Sequence, residues 1–172
     1  MEEQIMNMPA VALRGLTILP GMIAHFDVSR ERSLRAVEEA MEQDQKIYLV
    51  TQRNVDSEDP TQEDLYQMGI VADIKQVVRL QNDVVRILVD GISRAALLGF
   101  TGNEKYLEAE ICYCDSNADS LPEDLREAML LGVREAFHRY AAVVGKISKE
   151  LIRQIDQYED LEKLIDYVTN NL

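Results

Sequence analysis

Basic side chains are scarce in this sequence. Its 172 residues hold 18 Lys and Arg against 31 Asp and Glu, a formal net charge of −13. Neutralising phosphates takes clustered cations, so no nucleic acid is expected as a partner, and no membrane either, since an anionic bilayer would repel such a chain. Long apolar runs are missing as well. No stretch approaches the roughly 18 residues needed to span a bilayer, and no basic-then-apolar leader opens the chain. Cytoplasm is the default location. Cysteine and histidine are few: Cys112 and Cys114 sit two apart in ICYC, and the only histidines are His25 and His138. A strand would put both thiols on one face with Tyr113 opposite. A metal or redox pair needs further ligands that this set does not supply, so two reduced cysteines near a sheet surface are expected.

Catalytic signatures are absent too. No G-x-S-x-G occurs, and neither histidine stands beside a nucleophile. His138 reads as a helix-surface residue, and His25 lies in a strand-like run. The segment 143–148 (VVGKIS) hints at a phosphate loop but lacks it on two counts. Tyr140 stands where a Gly is required, and Ile147 where Ser or Thr should follow the Lys. Gly145 more simply ends a helix. Asp56, Glu58 and Asp59 cluster in a polar stretch without the register of a calcium loop, which leaves a solvated loop. Catalytic residues: none. Metal ligands: none. Cofactors held by this chain: none.

What is present is a core and a clear order of elements. A 47% hydrophobic content over this length is ordinary for a folded protein. The stretch 11–22 (VALRGLTILPGM) reads as strand, bend, second strand at 16–19, and a tight turn at Pro20-Gly21. Residues 1–8 read as a frayed lead-in and 22–28 as a strand. Ser29 is the expected N-cap of a helix to about residue 43, with Leu34, Val37, Ala40 and Met41 as its apolar stripe. A buried strand follows at 47–51. Thr61 and Asp64 resemble a capping box, with Gly69 closing a short helix. Strands are expected at 70–80 and 84–89, then a turn at Asp90-Gly91, then strands at 95–100 and 106–113. The period then changes. Leu125, Met129, Val133, Ala136, Phe137, Tyr140 and Val144 stripe one long helix opened by Ser120, and helices at 148–155 and 160–172 complete a bundle. The predicted class is α+β. A mostly antiparallel β pseudo-barrel with an inserted helix occupies 1–115, and a small helical bundle occupies 116–172.

Four stretches in order resemble the N-terminal domain of Lon proteases: 11–22, whose usual form is roughly "PLR…V.FPGM", then 31–41 (ERSLRAVEEAM), 60–69 (PTQEDLYQMG) and 87–94 (ILVDGISR). The likeness covers about residues 9–112, and the helical remainder also looks like the family's. Departures fall at Gly15 (usually Asp or Asn), Leu19 (Phe), His25 (Pro) and Ser29 (Gly), all loop-shaping positions. The resemblance implies a PUA-like pseudo-barrel. It also implies a non-catalytic domain that selects damaged, misfolded or short-lived regulatory proteins and assists assembly of an ATP-dependent Ser–Lys protease. ATP and Mg²⁺ would serve the full-length enzyme, whose other subunits would form a hexamer, while this chain alone would be a monomer or weak dimer. The alternative is a stand-alone adaptor of the same fold without protease activity. The ending VTNNL, with no Gly or Pro terminator, favours a piece of the larger enzyme.

Binding many unrelated apolar segments needs exposed hydrophobic and flexible side chains with little hydrogen-bond specificity. Pro20, Met22 and Ile23, at the first corner, are the candidate substrate-binding residues. Met22 and Ile23 equally suit core positions at the start of a strand.

Overall fold

The computed structural model describes residues 5–114 and 118–172. Part of the expected lead-in (1–4) and part of the polar boundary segment (115–117) lie outside the described residues. The fold is α+β, with six strands and four helices among the described residues, in two compact units, Met1–Cys114 and Asp115–Leu172.

In the first unit, β1 (Ile5–Leu13), β2 (Ile23–Val28), α1 (Glu31–Glu42), β3 (Lys46–Thr51), β4 (Met68–Arg79), β5 (Val85–Phe100) and β6 (Glu108–Tyr113) follow in order. The strands lie as β2-β5-β4-β3-β1-β6, and β6 returns to pair with β5. Five strands therefore close into a ring, with β2 attached to the first half of β5. All pairs are antiparallel except β1 with β3. Closure falls to β5, whose register shifts against β4 and β6 let one long strand bend from one neighbour to the next.

Strand alternation sorts the core into two layers. Val11, Leu13, Ile47 and Leu49 join Ala36, Val37 and Ala40 of α1 on one face. Ala10, Ala12, Tyr48 and Val50 turn to the other, with Leu97, Ala109 and Ile111. Hence β3 is apolar and buried from Ile47 to Val50, since both of its faces are covered there.

Several expectations are corrected here. Residues 5–8 are strand, because they pair with β6 from Ile5 opposite Cys112 to Met8 opposite Ala109. Residues 16–19 are not a strand but an irregular strap. Arg30, not Ser29, precedes α1, and its guanidinium is spent on the Ala12 carbonyl (2.6 Å) and Gln52 Oε1 (3.0 Å). The buried stripe of α1 is Ser33, Ala36, Val37 and Ala40, with Met41 exposed. Asp90-Gly91 is no turn, and the two strands expected on either side of it are one. The capping box of Thr61 and Asp64 is present but opens only a three-residue 3-10 turn, and Gly69 belongs to β4. Cys112 is buried in β6, and Cys114 lies exposed just past it; the two do not form a disulfide.

The second unit packs α2 (Glu123–Val144), α3 (Lys149–Gln157) and α4 (Leu161–Asn170) around Leu130, Phe137, Ala141, Ile155, Leu161 and Leu164. Ser148 and Asp160 cap α3 and α4, accepting from the Leu151 and Lys163 amides. Gly145, at φ 66°, ends α2 in the left-handed region. Pro122, not Ser120, precedes α2. Leu125, Met129, Tyr140 and Val144 of its expected stripe are exposed, because α3 and α4 together cover only the Leu130–Phe137–Ala141 side.

Candidate functional site

The first corner is built around two glycines of the sheet. Leu19-Pro20-Gly21-Met22 forms a tight turn, with the Met22 amide donating to the Leu19 carbonyl (3.1 Å) and Gly21 at φ 73°. Pro followed by a positive-φ Gly is the type II signature. This turn is strapped across β5. The Gly21 amide donates to the Gly91 carbonyl (2.8 Å), and the Gly91 amide donates to the Met22 carbonyl (3.0 Å). A Cβ at Gly91 would stand 2.3 Å from the Leu19 carbonyl oxygen, so only glycine admits the strap. At the other end the Thr51 hydroxyl donates to the Leu16 carbonyl (2.9 Å).

The strap forms one wall of a cavity of about 490 Å³. Its floor holds buried Ile18 and Leu49. Gly69 also lines it; a Cβ there would meet the Tyr48 ring at 2.5 Å and the Leu49 carbonyl at 2.6 Å. The opposite wall is Tyr66, Gln67 and Met68, presented by the 3-10 turn after Thr61. Tyr66 and Met68 are 50% and 48% exposed, so the cavity opens to solvent between them. Arg53 stands at the mouth. Its Nε donates to the Leu65 carbonyl (2.9 Å), and its guanidinium lies 5.2 Å from the Tyr66 ring centroid, within cation–π range. Arg94 of β5 completes the lining.

Of the three residues expected from sequence, Ile23 is 68% exposed. Met22 is half-buried and packs on the α1-side core, and Pro20 is half-buried. None lines the cavity, although Leu19, next to Pro20, does. Ile92 is also exposed, one residue past the Gly91 strap. Sequence reading missed Tyr66, Met68 and Arg53. The YQM run after the capping box offered a signal, because exposed large side chains there follow no core period.

The acidic loop and His138 make structural contacts. The loop carrying Asp56, Glu58 and Asp59 is tied down by arginines: Arg14 donates to the Ser57 carbonyl, Arg30 to the Glu58 carbonyl, and Arg32 pairs with Asp59. His138 is exposed on α2 and meets Asp156 Oδ1 at 2.8 Å. Among the described residues no group of three or more His, Cys, Asp or Glu could hold a metal, and no helix is long and apolar enough to cross a membrane.

A family profile described as "ATP-dependent protease La (LON) substrate-binding domain" matches residues 7–172. The chain is 37% identical over 169 residues to a Lon protease of Lachnoclostridium phytofermentans, covering 98% of this chain and 21% of that one. It is 31% identical to Lon protease 1 of Bacillus subtilis, covering 99% and 22%. The chain thus spans about a fifth of the length of these curated relatives. In fold it is similar to the N-terminal domain of a Mycobacterium avium complex Lon protease, with TM-score 0.60, 17% identity, and 97% and 100% of the two chains covered. A Lon N-terminal domain protein from Xanthomonas campestris superposes with TM-score 0.54 at 14% identity, covering 95% and 97%.

Proposed function

The chain belongs to the family of Lon substrate-binding domains, and on that premise we propose that it captures unfolded protein segments at the first corner for a protease whose other parts lie outside this chain. The observation that carries this reading is the cavity between the strap and Tyr66–Met68. It is apolar on its floor and open at its mouth, and it adjoins a corner where Ile23 and Ile92 stand exposed. Such a surface recognises apolar side chains wherever a client has lost its fold, and asks little of the sequence around them. Pro20, Met22 and Ile23 form the approach to it, and Leu19 joins approach to cavity.

The clients are damaged, misfolded or short-lived regulatory proteins of the cytoplasm. The full-length enzyme is a hexameric ATP-dependent Ser–Lys endopeptidase, and this domain also supports its assembly. ATP and Mg²⁺ belong to that larger enzyme. Within this chain, the segment 143–148 that hints at a phosphate loop lies at the C-terminal end of α2, where Gly145 serves as a helix stop.

Fluorescence polarisation tests the reading with a labelled client in unfolded and folded forms. The unfolded form should bind with a dissociation constant on the order of 1 µM or weaker, and the folded form almost not at all. Equal affinity for the two refutes apolar recognition.

A further inference from the structure

We propose that the cavity selects, among unfolded segments, those in which a bulky apolar side chain stands within a residue or two of a carboxylate. This deepens the substrate-binding reading above and rests on it. The charge of the cavity runs against that of the chain. Acidic residues outnumber basic ones 31 to 18, yet the charged side chains lining this cavity are Arg53 and Arg94, with no Asp or Glu among them.

Arg53 is placed for the task. Its Nε is held by the Leu65 carbonyl and its Cζ stands over the Tyr66 ring, so the guanidinium is positioned before any ligand arrives. Among the described residues its terminal nitrogens have no acceptor, which leaves a fork suited to a carboxylate. Arg94 is already engaged by a neighbour, leaving Arg53 as the principal partner. The apolar anchor descends to Ile18 and Leu49, while the acid remains at the rim beside Tyr66. The surrounding negative field disfavours polyacidic segments, so an apolar residue with one or two acids nearby is the fitting ligand.

The experiment uses three labelled 12-residue peptides, identical except that the position after a central Leu is Asp, Asn or Lys. At about 50 mM salt the Asp peptide should bind about fivefold more tightly than the Lys peptide. The ratio should fall towards one at about 0.5 M salt and in Arg53→Gln, and should be partly kept in Arg53→Lys. Should Arg53→Gln disturb the Leu65 loop, the salt series on the unaltered protein and the Lys variant still decide the matter. Equal binding of all three peptides, or an acid preference unchanged in Arg53→Gln, overturns the proposal while leaving apolar recognition standing. Failure of all three to bind overturns both.

Discussion

Two glycines of β5 should respond to alanine with opposite signs. At Gly91 the new Cβ would stand 2.3 Å from the Leu19 carbonyl oxygen, 2.9 Å from Ile70 Cδ1 and 3.2 Å from the Leu19 carbonyl carbon. The Ile70 methyl can rotate away. The Leu19 carbonyl cannot, because the Met22 amide holds it within the turn. The strap must therefore lift from β5, stretching the two hydrogen bonds between Gly91 and Gly21–Met22. Each is worth about 0.5–1.5 kcal/mol, and overpacking costs about 1–3 kcal/mol. Lifting relieves the clash, so these costs do not add in full, and about 0.5 kcal/mol returns from replacing a strand glycine. A net loss of about 2–3 kcal/mol remains. At about 4 °C per kcal/mol for a unit of this size, the first unit should melt about 8–12 °C lower. Gly99 has only Gln62 Oε1 nearby, at 3.8 Å, and its φ is not positive, so Gly99→Ala should gain about 0.5 kcal/mol. Urea unfolding followed by circular dichroism and tyrosine fluorescence measures both variants. A Gly91→Ala protein within about 0.5 kcal/mol of the parent, or equal shifts in the two variants, refutes the close-approach argument. Gly91→Ala should also weaken binding of unfolded clients, since Leu19 is a cavity wall.

Tyr48→Phe removes a buried hydrogen bond from the phenol to the Ala95 carbonyl (3.0 Å) and should cost about 1 kcal/mol at pH 7. Burial raises the Tyr48 pKa, so the neutral phenol contributes stability that is complete below the unfolded value of about 10 and is lost as pH climbs towards the raised folded value. The gap between parent and Tyr48→Phe should therefore hold up to about pH 9, then close and reverse between about pH 10 and 11; a constant gap contradicts it. Asp27 is held below its ordinary pKa, chiefly by its hydrogen bonds from Arg86. Its small contribution is present above about pH 4 and lost as pH falls through the lowered value. A carboxyl titration by nuclear magnetic resonance should show this lowering, and its disappearance in Arg86→Gln; an unmoved midpoint argues against the pair. Asp160→Ala should cost the helical unit about 1 kcal/mol by removing its bond from the Lys163 amide, seen as a lower melting point for that unit alone. A shift confined to the sheet unit excludes the capping role.

The features that reading the sequence recovered are those decided within four residues. Pro20-Gly21 is a turn, Thr61 with Asp64 is a capping box, and Gly145 and Ser148 bound their helices, because each reports on its own neighbours. Gly69 and Gly91 misled because glycine marks a turn and a close approach alike. What identifies a close approach is the residue packed on the glycine, Tyr48 of β3 for Gly69 and Leu19 of the strap for Gly91. The first half of β1 looked unstructured since its partner lies at the far end of the unit. In α2 apolar residues run nearly all round, so the buried face is chosen by α3 and α4 and not by period. The cavity draws on four separate stretches of chain. Its floor was legible as core, whereas Tyr66 and Arg53 at its mouth carry no periodic signal.

The closed ring of strands sets a timetable for synthesis. Ile5 pairs with Cys112, so the first strand leaves the ribosome long before the strand that completes its ladder. At about 5–20 residues per second, the roughly 100 intervening residues impose a wait of about 5–20 seconds. Through that interval the apolar run of β1 has β3 and α1 to lean on but not β6, and the ring stays open. The domain proposed here to capture unfolded chains is thus, for the opening seconds of its own life, an exposed apolar segment of the kind it would bind.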